Sequence, residues 1–243
     1  MHFKEALIQS KDNKNIFYLA PIPVWVEVFD DDSLHDRVYD LGMKKLNDSQ
    51  KQMGQELPNQ IDTERINSYK VNYKRRENWI EPNEYSPIGS RFFTPPNNFL
   101  DIENEDVITI RNRINNSYKK LLSYLEIKNN QSPKITESWM QYYDPHSGRG
   151  HNAHNHCRWE PGEETPTSFS GGYYISDGQP ILDHPYSGVF SFHIRGAAHF
   201  IRPKKGMLII WPFDIVHSVK PFYGKSNRVV INFNIEDSES KLI

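Results

Sequence analysis

Histidine is concentrated in one part of this chain. Of its ten histidines, eight lie between residues 146 and 217. Such crowding is typical of a metal site or an acid–base site. His154 and His156 are two residues apart, and on an extended backbone alternate side chains point to the same side, so both imidazoles can reach one ion. His217 is the candidate third ligand, and three imidazoles with open positions suit Fe(II), zinc or copper.

A cation is predicted close to this cluster. Arg228 follows His217 by eleven residues, inside the strand-like run NRVVINFN. A guanidinium among apolar strand residues is costly unless it meets an anion, and its planar fork matches a carboxylate at two points. We expect Arg228 to bind a carboxylate, either of a ligand or of a side chain in an ion pair within the chain.

The pattern of these residues resembles the Fe(II)/2-oxoglutarate-dependent oxygenases, especially their prolyl-hydroxylase-like branch and the oxygenases of bacteria and phages. That family has His-x-acid, a distant His preceded by Pro-x-x-Gly-x-Leu, and then an Arg. Here PKKGMLIIWP (203–212) and HSVKP (217–221) are similar to the strand of the second ligand. SGGYYI (170–175) is similar to the strand after the first ligand. The resemblance spans residues 136–236.

The resemblance implies a double-stranded β-helix core of the jelly-roll or cupin type. It implies a dioxygenase that uses Fe(II), 2-oxoglutarate and O2 to hydroxylate a substrate, such as a peptidyl proline, that the sequence does not identify. The implied metal ligands are His154, His156 and His217. The implied residues for 2-oxoglutarate are Arg228, Tyr174 and, as a second tyrosine, Tyr143.

One position departs from the family pattern. Where the family has Asp or Glu two residues after the first His, this sequence has His156. The site is then a three-histidine site, or its carboxylate comes from Glu160, Glu163 or Glu164 nearby. A neutral imidazole in place of a carboxylate leaves the metal centre one unit more positive, which alters oxygen reactivity and metal preference.

Two other classes of function stay open. His154-x-His156-x-x-x-Glu160 matches the start of the first cupin motif. That resemblance implies a metal enzyme that does not use 2-oxoglutarate and has Glu160 as a metal ligand. The missing acid also allows a non-catalytic β-helix domain that binds a metal or a ligand. Both alternatives keep the same type of core.

The remaining histidines of the cluster lack a partner pattern. Taking His151 as the first ligand leaves His154 and His156 unexplained. We therefore interpret His151, His146 and His199 as ordinary surface or core residues.

From residue 133 onward, hydrophobicity alternates with the period of strands. Short runs rich in β-branched and aromatic residues predict strands at residues 135–143, 168–176, 188–194, 197–201, 206–211, 216–219 and 228–236. Seven or eight such strands indicate a sandwich or barrel. A helix is predicted over residues 103–125, where Val107, Ile110 and Ile114 begin an apolar stripe. The fold class is thus mainly β with flanking helices.

The N-terminal region is less regular. Residues 17–29 carry Pro21 and Pro23, which favours an edge strand or an extended arm. Ser33 is predicted to cap a helix bearing Leu34, Val38 and Leu41. Residues 49–96 are polar and proline-rich, which predicts long loops. We expect residues 1–132 to pack on a core of residues 133–243 within one structural domain.

Composition narrows the classes of partner. The chain has 29 Lys+Arg against 31 Asp+Glu and a net charge of −2, which argues against coating of nucleic acid or an anionic membrane. We interpret the basic residues Lys74, Arg75 and Arg76 as part of a solvated loop or an edge strand, the alternative being a strand that contacts a polynucleotide. A single cysteine excludes an internal disulfide, and no apolar run spans a bilayer or forms a secretory leader, so a cytosolic location is expected.

Overall fold

A computed structural model describes residues 8–9, 16–19, 22–52, 91–93, 98–127, 134–143, 145, 149–156, 167–181 and 184–237. In these ranges the helices are α1 (Asp32–Gln52) and α2 (Glu105–Tyr124), with a short 3₁₀ helix at Phe99–Asp101. The strands are β1 (Ile8–Gln9), β2 (Ile16–Leu19), β3 (Ile22–Val28), β4 (Arg91–Phe93), β5 (Lys134–Tyr143), β6 (Arg149–His154), β7 (Thr167–Asp177), β8 (Phe190–Ile194), β9 (Ala197–Ile201), β10 (Met207–Pro212), β11 (His217–Phe222) and β12 (Arg228–Asp237).

The described strands form two antiparallel sheets. The larger has eight strands in the order β1-β2-β3-β10-β7-β12-β5-β4, and the smaller has four in the order β6-β11-β8-β9. The strands predicted beyond residue 133 are all present, with ends that differ by a few residues. The mainly β fold with flanking helices is therefore confirmed.

Alternation along the central strands of the larger sheet separates two hydrophobic clusters. On β10, Leu208 and Ile210 pack in the cluster that includes the two helices, while Ile209 and Trp211 belong to the second cluster with β8 and β11. Since successive side chains point to opposite faces, the helices cover one face and the smaller sheet covers the other. The face toward the smaller sheet, here called the inner face, carries the candidate site.

The long helix α2 forms as the apolar stripe predicts. Its buried residues include Val107, Ile110, Ile114, Tyr118 and Leu121, which recur at the helical period. Asn104 caps its N-terminus, and its side chain accepts hydrogen bonds from the backbone N–H groups of Asp106 and Val107.

Two expectations for the N-terminal region are wrong. The predicted edge strand is a hairpin of β2 and β3, and β3 lies inside the sheet between β2 and β10. Pro23 is tolerated there because β10 pairs only with the stretch from Trp25 to Val28. Helix α1 is capped by Asp31 rather than Ser33: the Asp31 carboxylate accepts from the backbone N–H of Leu34 at 3.2 Å.

The region predicted as loops contains more structure than expected. Helix α1 continues to Gln52, and β4 pairs with β5 at the sheet edge. The basic residues Lys74, Arg75 and Arg76 lie outside the described residues. The division at residue 132 stays a prediction, although β3 pairs with β10 across it.

No helix in the described ranges has both the length and the apolarity to cross a bilayer. The cytosolic location stays a prediction.

Candidate metal centre

Three neighbouring strands of the larger sheet present their polar residues on the inner face. On β12 these are Arg228, Asn232 and Asn234, which alternate with buried apolar residues that face the helices. The pairing register sets Arg228 opposite Tyr143 of β5 and Asn232 opposite Trp139. On the other side, Asn234 is opposite Ser170 of β7. Strand periodicity thus gathers these side chains in one row.

The smaller sheet supplies the histidines. His217 at the start of β11 pairs directly with His154 at the end of β6, and their ring centroids are 4.3 Å apart. His156 lies just beyond β6, where its backbone N–H donates to the carbonyl of Phe213. Each of the three histidines offers a ring nitrogen within 4.8 Å of the other two. The structure therefore brings together the three predicted ligands.

The hydrogen bonds of these rings determine which nitrogen is available. The Nδ1 atom of His154 lies 2.7 Å from the carbonyl oxygen of Asn152, and that of His217 lies 2.9 Å from the carbonyl oxygen of Ile215. The Nδ1 atom of His156 lies 2.7 Å from Oδ1 of Asn234. These oxygens only accept, so each Nδ1 carries the proton and each Nε2 keeps a lone pair. Three lone pairs in one group fit a divalent metal ion.

Burial keeps the imidazoles of His154 and His217 neutral. It lowers the pKa of His154 from 6.5 to about 4, with His156 adding to the effect and the bond to Asn152 opposing it. It also lowers the pKa of His217, which is 4% exposed, well below the usual range. A neutral imidazole is the form that binds a metal. At neutral pH these two ligands need not lose a proton before a metal enters.

Arg228 lies in the same pocket as the three histidines. It is 1% exposed, and its guanidinium lies 5.1 Å from the ring centroid of Tyr143 and 5.0 Å from that of Tyr174. Its Nη1 donates to the carbonyl of Gly188. Among the described residues its Nε and Nη2 make no hydrogen bond of ordinary length and angle, although the Tyr174 hydroxyl is close enough to interact with the guanidinium. A buried guanidinium with two donor nitrogens unused among the described residues fits a carboxylate.

The two tyrosines stay in their phenol form. Burial raises the pKa of both Tyr143 and Tyr174, and the positive charge of Arg228 only partly opposes this. A neutral phenol can donate a hydrogen bond. Both rings therefore add neutral donors, and no negative charge, around the guanidinium.

Several residues of the pocket were missed by the sequence analysis. They share an inward position on their strands and comprise Trp139, Gln141, His151, Phe190, Trp211, Val219, Val230 and Asn232. His151 is the clearest correction. It was interpreted as an ordinary surface or core residue, but it lines the pocket, and its ring centroid lies 4.1 Å from that of His154. For Trp139 and Gln141 the signal that could have found them is strand alternation, because both precede Tyr143 by even numbers of residues.

The sequence also allows a carboxylate ligand from outside the His-x-His motif. Glu160, Glu163 and Glu164 lie outside the described residues. Within the described ranges, the ligand group consists of the three histidines with no carboxylate. His156 contacts Asn234, and the Nδ2 of Asn234 donates a hydrogen bond to Oε2 of Glu137 at 2.9 Å.

Solved structures that match most of the chain include two prolyl hydroxylases. One is a prolyl hydroxylase from Trichoplax adhaerens in complex with a peptide fragment of the hypoxia inducible factor oxygen degradation domain, with a TM-score of 0.50, 15% identity, and coverage of 88% of this chain and 83% of that one. The other is a viral collagen prolyl hydroxylase from Paramecium Bursaria Chlorella virus-1 in its 2-oxoglutarate complex, with a TM-score of 0.51, 13% identity, and coverage of 87% and 94%.

The chain has the double-stranded β-helix fold of these hydroxylases. This confirms the fold that the resemblance to the oxygenases implies. No protein-family model matches the sequence, and no curated protein matches it. At these identities the likeness establishes the fold.

Acid is expected to destabilise the metal-free protein through His154 and His217. Their pKa values are lowered from 6.5 on folding, so below that pH the unfolded chain binds more protons. Their contribution to stability is complete above the unfolded pKa, and it is lost as the pH falls from 6.5 toward about 4. The expected slope is about 1.4 kcal/mol per pH unit for each group.

Urea unfolding of the metal-free protein across that pH window measures the slope. His154→Gln removes one titrating group and should flatten the dependence relative to wild type. A wild-type free energy of unfolding that stays constant over the window would contradict the assignment of lowered pKa values.

Proposed function

We propose that this protein is an Fe(II)- and 2-oxoglutarate-dependent dioxygenase that hydroxylates a C–H bond of its substrate. The observation that carries the proposal is the placement of Arg228. A buried guanidinium with two unused donors faces the same pocket as three histidine lone pairs. A dicarboxylate that binds a metal at one end and a guanidinium at the other satisfies both halves of this pocket.

The residues divide into two roles. His154, His156 and His217 would hold the metal through Nε2, and Arg228 with Tyr174 and Tyr143 would hold the distant carboxylate of the cosubstrate. When bound, Fe(II) and 2-oxoglutarate together reduce O2 so that one oxygen atom enters the substrate as hydroxyl and the other enters succinate, with release of carbon dioxide. The protein supplies the positions of these groups, and the surrounding aromatic residues limit access of water.

The charges of the site favour a dianionic cosubstrate. Three neutral imidazoles leave the charge of a divalent ion unbalanced, and Arg228 adds another positive charge in a buried place. A carboxylate ligand, as in the family pattern, would reduce the net positive charge of the site by one unit. Its absence from the described ligand group makes two carboxylates on the cosubstrate more favourable, because they balance the metal.

The substrate class is suggested by the fold alone. One of the two structural neighbours is a prolyl hydroxylase with a bound peptide fragment, so a peptidyl residue such as proline is our leading candidate.

The direct test of this function is product formation. Protein loaded with Fe(II) should convert 2-oxoglutarate to succinate in the presence of O2, slowly without substrate and faster with it. Succinate is measured by NMR, with a metal chelator as the control. Absence of succinate from iron-loaded protein that binds 2-oxoglutarate would contradict a dioxygenase and leave a non-catalytic binding domain.

A second candidate is a metal-dependent enzyme of the cupin type that does not use 2-oxoglutarate. The match of His154-x-His156-x-x-x-Glu160 to the start of the first cupin motif favours it. It predicts that metal-loaded protein does not bind 2-oxoglutarate and that Arg228 is dispensable for its reaction.

A further inference from the structure

His156 is held by a polar network that the other two histidines lack. Its Nδ1 lies 2.7 Å from Oδ1 of Asn234 and 2.8 Å from Oγ of Ser170. The Ser170 hydroxyl donates to Oδ1 of Asn234 at 2.9 Å. On its other side, Asn234 donates from Nδ2 to Oε2 of Glu137 at 2.9 Å. His154 and His217, by contrast, use backbone carbonyl oxygens.

The cross-strand register builds this network. Asn234 of β12 is paired with Glu137 of β5 on one side and with Ser170 of β7 on the other. All three side chains lie on the inner face of the larger sheet, because they occupy alternate positions in step with Tyr143, Arg228 and Tyr174. The amide of Asn234 therefore lies between a carboxylate and an imidazole.

The position of Glu137 determines which way the amide points. An ionised carboxylate only accepts hydrogen bonds, so it requires the NH2 group of Asn234 on its side. The amide oxygen must then face His156. An oxygen 2.7 Å from Nδ1 requires a proton there, since two lone pairs would repel at that distance. The proton on Nδ1 leaves the lone pair on Nε2.

We propose that Glu137, acting through Asn234, selects the imidazole tautomer of His156 that can bind a metal. The proposal rests on the ligand role given to His156 above. Glu137 and Asn234 are positioning residues that touch neither metal nor cosubstrate. Position 156 carries an imidazole in place of the family's carboxylate. The Glu137 carboxylate orients that imidazole through the intervening side chain of Asn234.

Loss of the network leaves Ser170 as the neighbour of Nδ1. In Asn234→Leu, the Ser170 hydroxyl is free to donate to Nδ1, which moves the proton to Nε2 and blocks the metal. In Glu137→Gln, the new side chain can offer either oxygen or nitrogen to Asn234, so the amide is no longer biased toward one orientation. Outer partners of this kind typically change metal affinity by roughly 10–100-fold.

The test combines a spectroscopic and a binding measurement on the full chain. Heteronuclear NMR of metal-free protein with nitrogen-labelled histidine reports the tautomer of His156. Titration with Co(II) alone reports metal affinity. Glu236→Gln is the matched control, because Glu236 is exposed and lies two residues beyond Asn234 on the same strand. Circular dichroism checks that each variant is folded. If Asn234→Leu does not fold, the more conservative Glu137→Gln still tests the proposal.

The expected result is an Nδ1-protonated His156 in wild type and in Glu236→Gln. Glu137→Gln should show a mixture of tautomers, and Asn234→Leu mainly the Nε2-protonated form, with Co(II) affinity lower by roughly 10–100-fold in the latter. The proposal would be overturned if folded Asn234→Leu kept the wild-type tautomer or the wild-type affinity for Co(II). It would also be overturned if folded Glu137→Gln kept the wild-type tautomer alone. Neither readout involves 2-oxoglutarate, so a failure to bind that cosubstrate contradicts the proposed function and leaves this inference standing.

Discussion

His217→Ala is expected to reduce affinity for a divalent metal by more than about 100-fold, since losses of outer partners alone cost roughly 10–100-fold. His217 is 4% exposed and lies at the centre of the group, with its ring 4.3 Å from that of His154 and 5.0 Å from that of His156. Without it, two imidazoles remain, which cannot occupy a facial set of three positions. Anaerobic equilibrium dialysis with Fe(II) measures the loss.

His199→Ala is the control for the loss of a histidine elsewhere in the smaller sheet. His199 lies on β9 and is not among the residues that line the pocket. The control should bind Fe(II) as wild type does. Wild-type affinity in a folded His217→Ala variant would show that the metal is held elsewhere.

Arg228→Met is expected to reduce the affinity of the metal-loaded protein for 2-oxoglutarate by roughly 30- to 4000-fold. Truncating one partner of a buried, hydrogen-bonded charge pair costs about 2–5 kcal/mol, and each 1.4 kcal/mol is tenfold in affinity. Methionine keeps much of the volume between the two tyrosine rings but offers no donor. Isothermal titration with 2-oxoglutarate under anaerobic conditions measures the effect.

The same variant separates the two halves of the pocket. Arg228 contacts no ligand nitrogen in the described structure, so Arg228→Met should retain the Fe(II) affinity of wild type. Arg111→Met, on the exposed side of α2, should behave as wild type in both titrations. Equal 2-oxoglutarate affinity in wild type and Arg228→Met would remove the guanidinium from the cosubstrate site and favour the cupin-type enzyme.

Much of this site could be predicted from the sequence because its residues follow local rules. The two-residue spacing of His154 and His156, the distant His217 and a guanidinium in a strand-like run are visible without coordinates. Strand periodicity then predicts that Arg228 faces inward among apolar neighbours. The helix α2 is equally local, since its apolar stripe and its preceding Asn104 lie within one segment.

The remainder depends on pairing between distant strands. Asn234 meets Glu137 and Ser170 only because β12 lies between β5 and β7 in one particular register. No single segment contains that information. The interior position of β3 has the same cause, since its partner β10 is more than 170 residues away along the chain.

His151 shows how a local rule can also mislead. Taken alone, it has no partner at a ligand spacing and was interpreted as an ordinary residue. On β6 it is three residues before His154, yet the bulged pairing of β6 with β11 brings the two rings into contact. Irregular register of this kind re-aims side chains and is not encoded in simple alternation.

The central claim is that one pocket binds Fe(II) through three histidines and 2-oxoglutarate through Arg228. Anaerobic titration of the metal-free protein with Fe(II), followed by 2-oxoglutarate, tests it most directly, because the chelate of the two has a visible absorption band. The account predicts that the band appears in wild type, weakens in Arg228→Met and is absent in His217→Ala. Iron that binds to wild type without producing the band on addition of 2-oxoglutarate would contradict it.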